Sequence, residues 1–213
     1  MVRTRIKICG VTSVKDAKFA CLCGADAIGF NFYSESERKL TVDQGSAIEV
    51  SLLPFVSKVG VFVNPSHSLV TKALETISLD FIQFHGSESV SFCESFNVPY
   101  IKAIPAQSSE QILRELAEFS SASAILLDTK VGTRFGGTGK PFDWKIVPES
   151  ELPLIVAGGL NPQNVFEAVS LIRPFAVDVS SGVEKASIEK DFEMIKEFVK
   201  QVRRADEAFI GNR

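Results

Sequence analysis

The chain of 213 residues has little of what marks a secreted, membrane-spanning or nucleic-acid-binding protein. Cysteine is scarce. Cys9, Cys21, Cys23 and Cys93 show neither a disulfide-framework spacing nor a Cys-x-x-Cys unit, and Cys21 and Cys23 are too close for a zinc knuckle. They read as reduced thiols of a cytoplasmic protein. Charge of one sign is not in excess: Lys plus Arg number 23 against 26 Asp plus Glu, a formal net charge of −3. These charges are scattered, so no nucleic acid or anionic membrane is expected as a partner. No stretch approaches the roughly 18 apolar residues of a membrane span. The opening Met1-Val2-Arg3-Thr4-Arg5 runs into a strand pattern without an apolar signal core. Histidine is limited to His67 and His85, with no His and carboxylate cluster at metal-ligand spacing, so no metal is expected. The first strand leads into Cys9-Gly10-Val11-Thr12 and not a glycine-spaced dinucleotide loop, so no nucleotide cofactor is expected either.

What is present is a repeated alternation of short apolar, β-branched runs with longer segments at helical spacing, the pattern of βα units around a parallel sheet. Eight runs stand out: 4–9, 25–30, 58–63, 81–84, 100–104, 122–128, 154–157 and 175–179. Each is followed by a plausible helix, most clearly 13–23, 66–77, 108–119, 162–172 and 189–204. Ser66 and Ser108 are natural N-caps, and Asn161-Pro162 reads as an N-cap followed by proline at the first helical position. Eight such units predict a single (β/α)8 TIM barrel over residues 1–204, with a loosely held tail from Ala205 that carries the apolar pair Phe209-Ile210.

Barrel enzymes work at the C-terminal ends of their strands and commonly bind phosphate with the loops after strands seven and eight. Side-chain alternation points Lys7 and Cys9 inward, with Cys9 at the catalytic end; from position alone a small buried thiol is as readily plain core. Asp128 ends the sixth run, where a carboxylate serves either the active face or a loop salt bridge. The glycine-rich segment 131–141 that follows reads as a mobile lid. Asp178 and Ser180 share one face of the eighth strand, and with Lys7 and Lys102 also directed inward a barrel-interior ion cluster is the bland reading of Asp178. Gly158-Gly159 and Ser181-Gly182 can offer backbone N–H groups to phosphate; either loop alone would be only a turn, and the pair together is the signal. Arg38, in the loop after the second strand, can grip a carboxylate with its planar fork, though it also reads as a solvated surface arginine. His85 ends the fourth strand near the same face, and His67 reads as surface.

The strings Lys7-Ile8-Cys9-Gly10, Gly24-Ala25-Asp26-Ala27-Ile28-Gly29-Phe30, Val59-Gly60-Val61-Phe62-Val63-Asn64 and Gln83-Phe84-His85-Gly86 resemble the phosphoribosylanthranilate isomerases. So do Gly136-Gly137-Thr138-Gly139 with Phe142-Asp143-Trp144, Ala157-Gly158-Gly159-Leu160 and Asp178-Val179-Ser180-Ser181-Gly182-Val183-Glu184, in the family's order across residues 7–184. The chain departs at Glu37, where the family commonly has proline before the arginine, and at Phe84, where it usually has leucine.

The resemblance implies an Amadori rearrangement of N-(5-phosphoribosyl)anthranilate in tryptophan biosynthesis. By carry-over, Asp128 is the acid that protonates the ring oxygen and Cys9 the base that takes the proton from the sugar C2. Arg38 would hold the anthranilate carboxylate, Gly158, Gly159, Ser181 and Gly182 the phosphate, and Asp178 would orient substrate. The acid must hold its proton, which desolvation under a lid favours, and the base must be thiolate, which Lys7 and nearby helix ends would favour. The partner is then a small sugar phosphate, with monomer or homodimer left open. Rival readings fare worse: an indole-glycerol-phosphate synthase needs a catalytic lysine with paired glutamates, and a ribulose-phosphate epimerase needs aspartates and histidines around a metal. The histidine-pathway isomerase needs paired aspartates. A catalytically dead barrel would have no reason to keep both Cys9 and Asp128.

Overall fold

In the computed structural model of the chain, residues 3–131, 134–135, 141–185 and 188–210 are described. The eight β-branched runs form strands β1 (Arg5–Cys9), β2 (Ala27–Asn31), β3 (Ser57–Phe62), β4 (Phe81–Phe84), β5 (Tyr100–Pro105), β6 (Ala124–Asp128), β7 (Leu154–Val156) and β8 (Ala176–Val179). They pair in parallel and close in the order β1-β8-β7-β6-β5-β4-β3-β2, so every strand has two hydrogen-bonded neighbours and no edge remains. The register sets Lys7 of β1 beside both Asp178 of β8 and Ala27 of β2.

Alternation divides the strand side chains into two layers. Val59, Ile101, Ala103, Leu126, Ile155 and Ala176 pack inside the barrel. Ile6, Ile8, Phe62, Phe84, Ile125 and Val177 pack outward against the helices. Each such aliphatic or aromatic side chain stabilises the fold by about 1.5–3 kcal/mol on burial. Lys102 corrects the sequence reading. Because Ile101 and Ala103 take the interior, Lys102 points into the outer layer, where its ammonium donates to Glu88 (2.9 Å) and the Gly86 carbonyl (2.6 Å) and lies over the Phe119 ring. It takes no part in the ion cluster around Asp178.

The connecting helices are α1 (Val14–Cys23), α2 (Val42–Glu49), α3 (His67–Thr76), α4 (Val90–Glu94), α5 (Ser109–Glu118), α6 (Val165–Ile172) and α7 (Phe192–Ile210). Ser66 and Ser108 cap α3 and α5 as expected, accepting from the N–H of Leu69 and Gln111. After β6 no α-helix forms among the described residues. A two-residue hairpin, 130–131 against 134–135, and a 3₁₀ turn at Trp144–Ile146 take its place, in a segment too rich in glycine and proline to propagate a helix. Asn161-Pro162 also differs from expectation. The Asn161 side chain accepts from the Gln163 N–H (2.9 Å) in a turn of its own, and the helix starts three residues later behind Asn164.

The expected loose tail is corrected as well: α7 continues through Ile210. Ile195, Phe198, Val202 and Ala205 form one buried stripe along it. Asp206 accepts from the Thr4 N–H and hydroxyl, and Arg203 donates to the Thr4 carbonyl (2.7 Å), so the last turns clasp the first strand. Among the described residues no helix is long and apolar enough to cross a membrane.

Candidate active site

The strand ends open into one cavity of about 620 Å³. Cys9, Arg38, Asp128, Gly158, Gly159, Asp178, Ser181 and Gly182, the eight residues singled out in the sequence, all line it. The glycine-rich residues 136–139, read as a lid, lie outside the described residues.

Cys9 sits at the end of β1, almost buried. Gly29 on the neighbouring strand makes the space for it: a Cβ there would lie 2.8 Å from Cys9 Sγ and 3.2 Å from Lys7 Cε. Lys7 is held by Asp178, with Nζ to Oδ1 at 3.0 Å, as a barrel-interior ion pair. Asp178 is the counter-ion of a buried lysine and also part of the cavity wall. Burial pushes the Cys9 thiol above its ordinary range, and Lys7 and Lys190 only partly offset it. The expected lowering by Lys7 is therefore outweighed, because a sulfur closed in by the barrel wall loses more in hydration of its anion than two cations return.

Asp128 ends β6. The next residue's backbone N–H donates to its Oδ1 (2.6 Å), and His85 Nε2 stands 3.2 Å from Oδ2. The Gln83 amide donates to His85 Nδ1 (3.0 Å), which leaves the imidazole proton on Nε2, toward Asp128. Sequence reasoning placed His85 near this face but gave it no role; the alternation of Gln83 and His85 along β4 was the available signal. A second cavity, of about 310 Å³, shares His85 and Asp128 and reaches outward to Lys102 and Phe119.

The two glycine loops meet. Gly158 and Gly159 take positive φ, 75° and 71°, which opens the turn after β7. A Cβ on Gly182 would lie 1.8 Å from the Leu160 carbonyl oxygen, so the loops after β7 and β8 touch where only glycine fits. Among the described residues the N–H groups of Gly158, Gly159, Ser181 and Gly182 donate to no protein acceptor. They are free to receive an anion. Ser36 replaces the proline restraint in the Arg38 loop, accepting from the Arg38 N–H and the Asn31 amide (3.1 Å each). The Arg38 guanidinium is engaged by Glu184, which is paired in turn with Lys190; neither Glu184 nor Lys190 was assigned a role by sequence reasoning.

Among the described residues no three His, Cys, Asp or Glu side chains are grouped to hold a metal ion. A closed parallel barrel with its polar groups gathered at the C-terminal strand ends, and two bare glycine loops after the last two strands, defines a (β/α)8-barrel enzyme of a small phosphorylated substrate.

Comparison with known proteins narrows the class. The sequence model described as N-(5'phosphoribosyl)anthranilate (PRA) isomerase matches residues 6–201. The N-(5'-phosphoribosyl)anthranilate isomerase of Pseudomonas fluorescens is 46% identical over 204 residues, 95% of this chain and 100% of that one. The crystal structure of the phosphoribosyl anthranilate isomerase from Thermotoga maritima superposes with a TM-score of 0.85 at 38% identity, covering 94% of this chain and 99% of that one. A further isomerase structure, in complex with reduced 1-(o-carboxyphenylamino)-1-deoxyribulose 5-phosphate, gives a TM-score of 0.81 at 37% identity with the same coverage. This chain belongs to the phosphoribosylanthranilate isomerase family, the aldose–ketose isomerases of tryptophan biosynthesis.

Proposed function

We propose that the chain converts N-(5'-phosphoribosyl)anthranilate to 1-(2-carboxyphenylamino)-1-deoxyribulose 5-phosphate by general acid and base catalysis, with Asp128 as acid and Cys9 as base. The observation that carries the assignment is that one cavity holds both groups together with two anion-ready loops and an arginine. Phosphate docks on the N–H groups of Gly158, Gly159, Ser181 and Gly182, and Arg38 takes the anthranilate carboxylate through charge-assisted hydrogen bonds. The sugar then spans the cavity between them.

Asp128 delivers a proton to the furanose ring oxygen, the C1–O bond breaks, and the nitrogen lone pair forms the Schiff base. The Cys9 thiolate removes the C2 proton, and the enolamine tautomerises to the ketone. His85 holds the Asp128 carboxyl in orientation through Nε2. Asp178 keeps Lys7 beside the thiol and turns its second oxygen to substrate. Since burial raises the Cys9 thiol, the thiolate is the minority form at neutral pH, and turnover draws on that fraction. A cytoplasmic setting fits the four unpaired cysteines.

The test is the fluorescence decay of freshly made phosphoribosylanthranilate with wild type, Cys9→Ala and Asp128→Ala. Both variants should stay folded and lose on the order of 10²–10⁴ in turnover. Near-wild-type turnover in either removes that residue from the mechanism.

A further inference from the structure

The group left unexplained is the buried carboxylate next to Arg38. Arg38 Nε donates to Glu184 Oε1 (2.7 Å) and Nη2 to Oε2 (2.6 Å), a two-pronged fork that uses one edge of the guanidinium and leaves Nη1 without a partner among the described residues. The same Glu184 carboxylate accepts from Lys190, and Lys190 Nζ also donates to the Ser180 carbonyl (3.2 Å), at the root of the loop read as holding phosphate. The side chains of Glu184 and Lys190 are 4% and 0% exposed. Arg38 is fixed at its stem too. Gly10, with φ +68°, has no Cβ, and one there would lie 2.5 Å from Arg38 Cδ. The arginine therefore passes against the residue that follows Cys9.

A buried glutamate and lysine beside a partly buried arginine are costly to desolvate, and apolar side chains of the same volume would serve stability as well. What the trio supplies is registry. With both cations protonated, two positive groups around one carboxylate leave one net positive charge beside the cavity. Glu184 links Arg38 through Lys190 to the Ser180 carbonyl, at the root of the loop read as holding phosphate.

We propose that Glu184 is a positioning residue that fixes the span between the carboxylate-binding Arg38 and the phosphate loop at Ser181-Gly182, and so makes the enzyme select an aryl amine bearing an ortho carboxylate. The inference rests on the reading of Arg38 as the carboxylate grip.

The experiment compares two substrates, the phosphoribosyl adducts of anthranilate and of aniline, which differ only in the carboxylate. Wild type should prefer the anthranilate adduct in kcat/KM by at least about tenfold, the least that a charge-assisted hydrogen bond provides. In Glu184→Gln that preference should collapse to within about threefold, through a rise in the KM of the anthranilate adduct larger than any fall in kcat. Glu184→Asp keeps the charge that Lys190 needs but withdraws the carboxylate from the Arg38 fork by one methylene. It should lose the preference as well, and it serves if the glutamine variant does not fold. Arg38→Ala separates the two layers of the argument. If it retains the preference, Arg38 is not the carboxylate grip and the reading beneath the proposal fails. If Arg38→Ala abolishes the preference while either folded Glu184 variant keeps it, the grip stands and the role of Glu184 is overturned. Equal loss of kcat on both substrates with KM unchanged also overturns it, since a carboxylate positioner must act on one substrate more than the other.

Discussion

Gly29→Ala offers the sharpest probe of the thiol, because it adds one methyl group behind Cys9 and leaves the glycine loops after β7 and β8 unaltered. The new Cβ would stand 2.8 Å from Cys9 Sγ, 3.1 Å from Cys9 Cα and 3.2 Å from Lys7 Cε. Ordinary carbon contacts are about 3.5–4.0 Å, so the sulfur must retreat by roughly 0.7–1.2 Å. The backbone cannot absorb this easily, since the Gly29 carbonyl accepts from the N–H groups of Gly10 (2.9 Å) and Val11 (3.3 Å) and pins the two strand ends together. A displacement of about 1 Å in a reacting group costs up to about a hundredfold in rate. We therefore expect kcat on phosphoribosylanthranilate to fall roughly 10- to 100-fold with KM changed little. Overpacking of this kind costs about 1–3 kcal/mol, which for a chain of this length lowers Tm by roughly 2–12 °C. Fluorescence kinetics and a thermal melt measure both quantities on one preparation. A folded Gly29→Ala enzyme whose kcat lies within about twofold of wild type would refute the argument that the position of the Cys9 sulfur limits the reaction.

Alkylation of the ligand-free enzyme by iodoacetamide, followed residue by residue with mass spectrometry, should modify Cys9 with a pH midpoint above the ordinary thiol range of about 8.5. Cys93, pushed up to about 12 by burial, should stay intact; a Cys9 midpoint below the ordinary range would mean that Lys7 outweighs burial after all. Gly182→Ala drives a Cβ to within 1.8 Å of the Leu160 carbonyl oxygen, so the two loops must part. Its KM should rise by about tenfold or more, the value of a charge-assisted hydrogen bond, with a smaller change in kcat, and an unchanged KM would detach these loops from phosphate. For Glu184, burial acts to raise the carboxyl, but hydrogen bonds from Arg38 and the charge of Lys190 prevail and hold it below its usual range. A lowered folded value contributes stability above the ordinary glutamate range and loses it as pH falls through the folded value. Melting temperature should accordingly drop less on acidification in Glu184→Gln than in wild type, and parallel curves would contradict the assignment.

Much of the architecture was written into the chain. Eight β-branched runs, each followed by a helical segment, predict a closed parallel sheet, and alternation commits Ile6 and Ile8 to the helices and Cys9 to the interior once the strand is granted. Asp128 and the glycine pairs could be placed on the catalytic face for the same reason: each ends or follows a strand. Local sequence also misled. Asn161-Pro162 carries the chemistry of a helix start, yet its side chain closes a turn of its own. The run after Arg204 looked unanchored because its partner, Thr4, is 202 residues away from Asp206.

What the tertiary structure alone decided is how distant charges share space. Lys7 and Lys102 are alike in sequence context, but one meets Asp178 inside the barrel and the other Glu88 outside it, according to which neighbours take the interior positions of each strand. Whether the Cys9 thiol moves up or down depends on the balance of burial against two cations drawn from opposite ends of the chain, a sum no local pattern contains. Arg38, Glu184 and Lys190 form one unit only because closure of the barrel brings the loop after β2 against the loop after β8. Periodicity fixes which residues of a strand share a face; long-range packing fixes which face turns inward and which charges meet, and Coulomb energy and desolvation depend on that meeting.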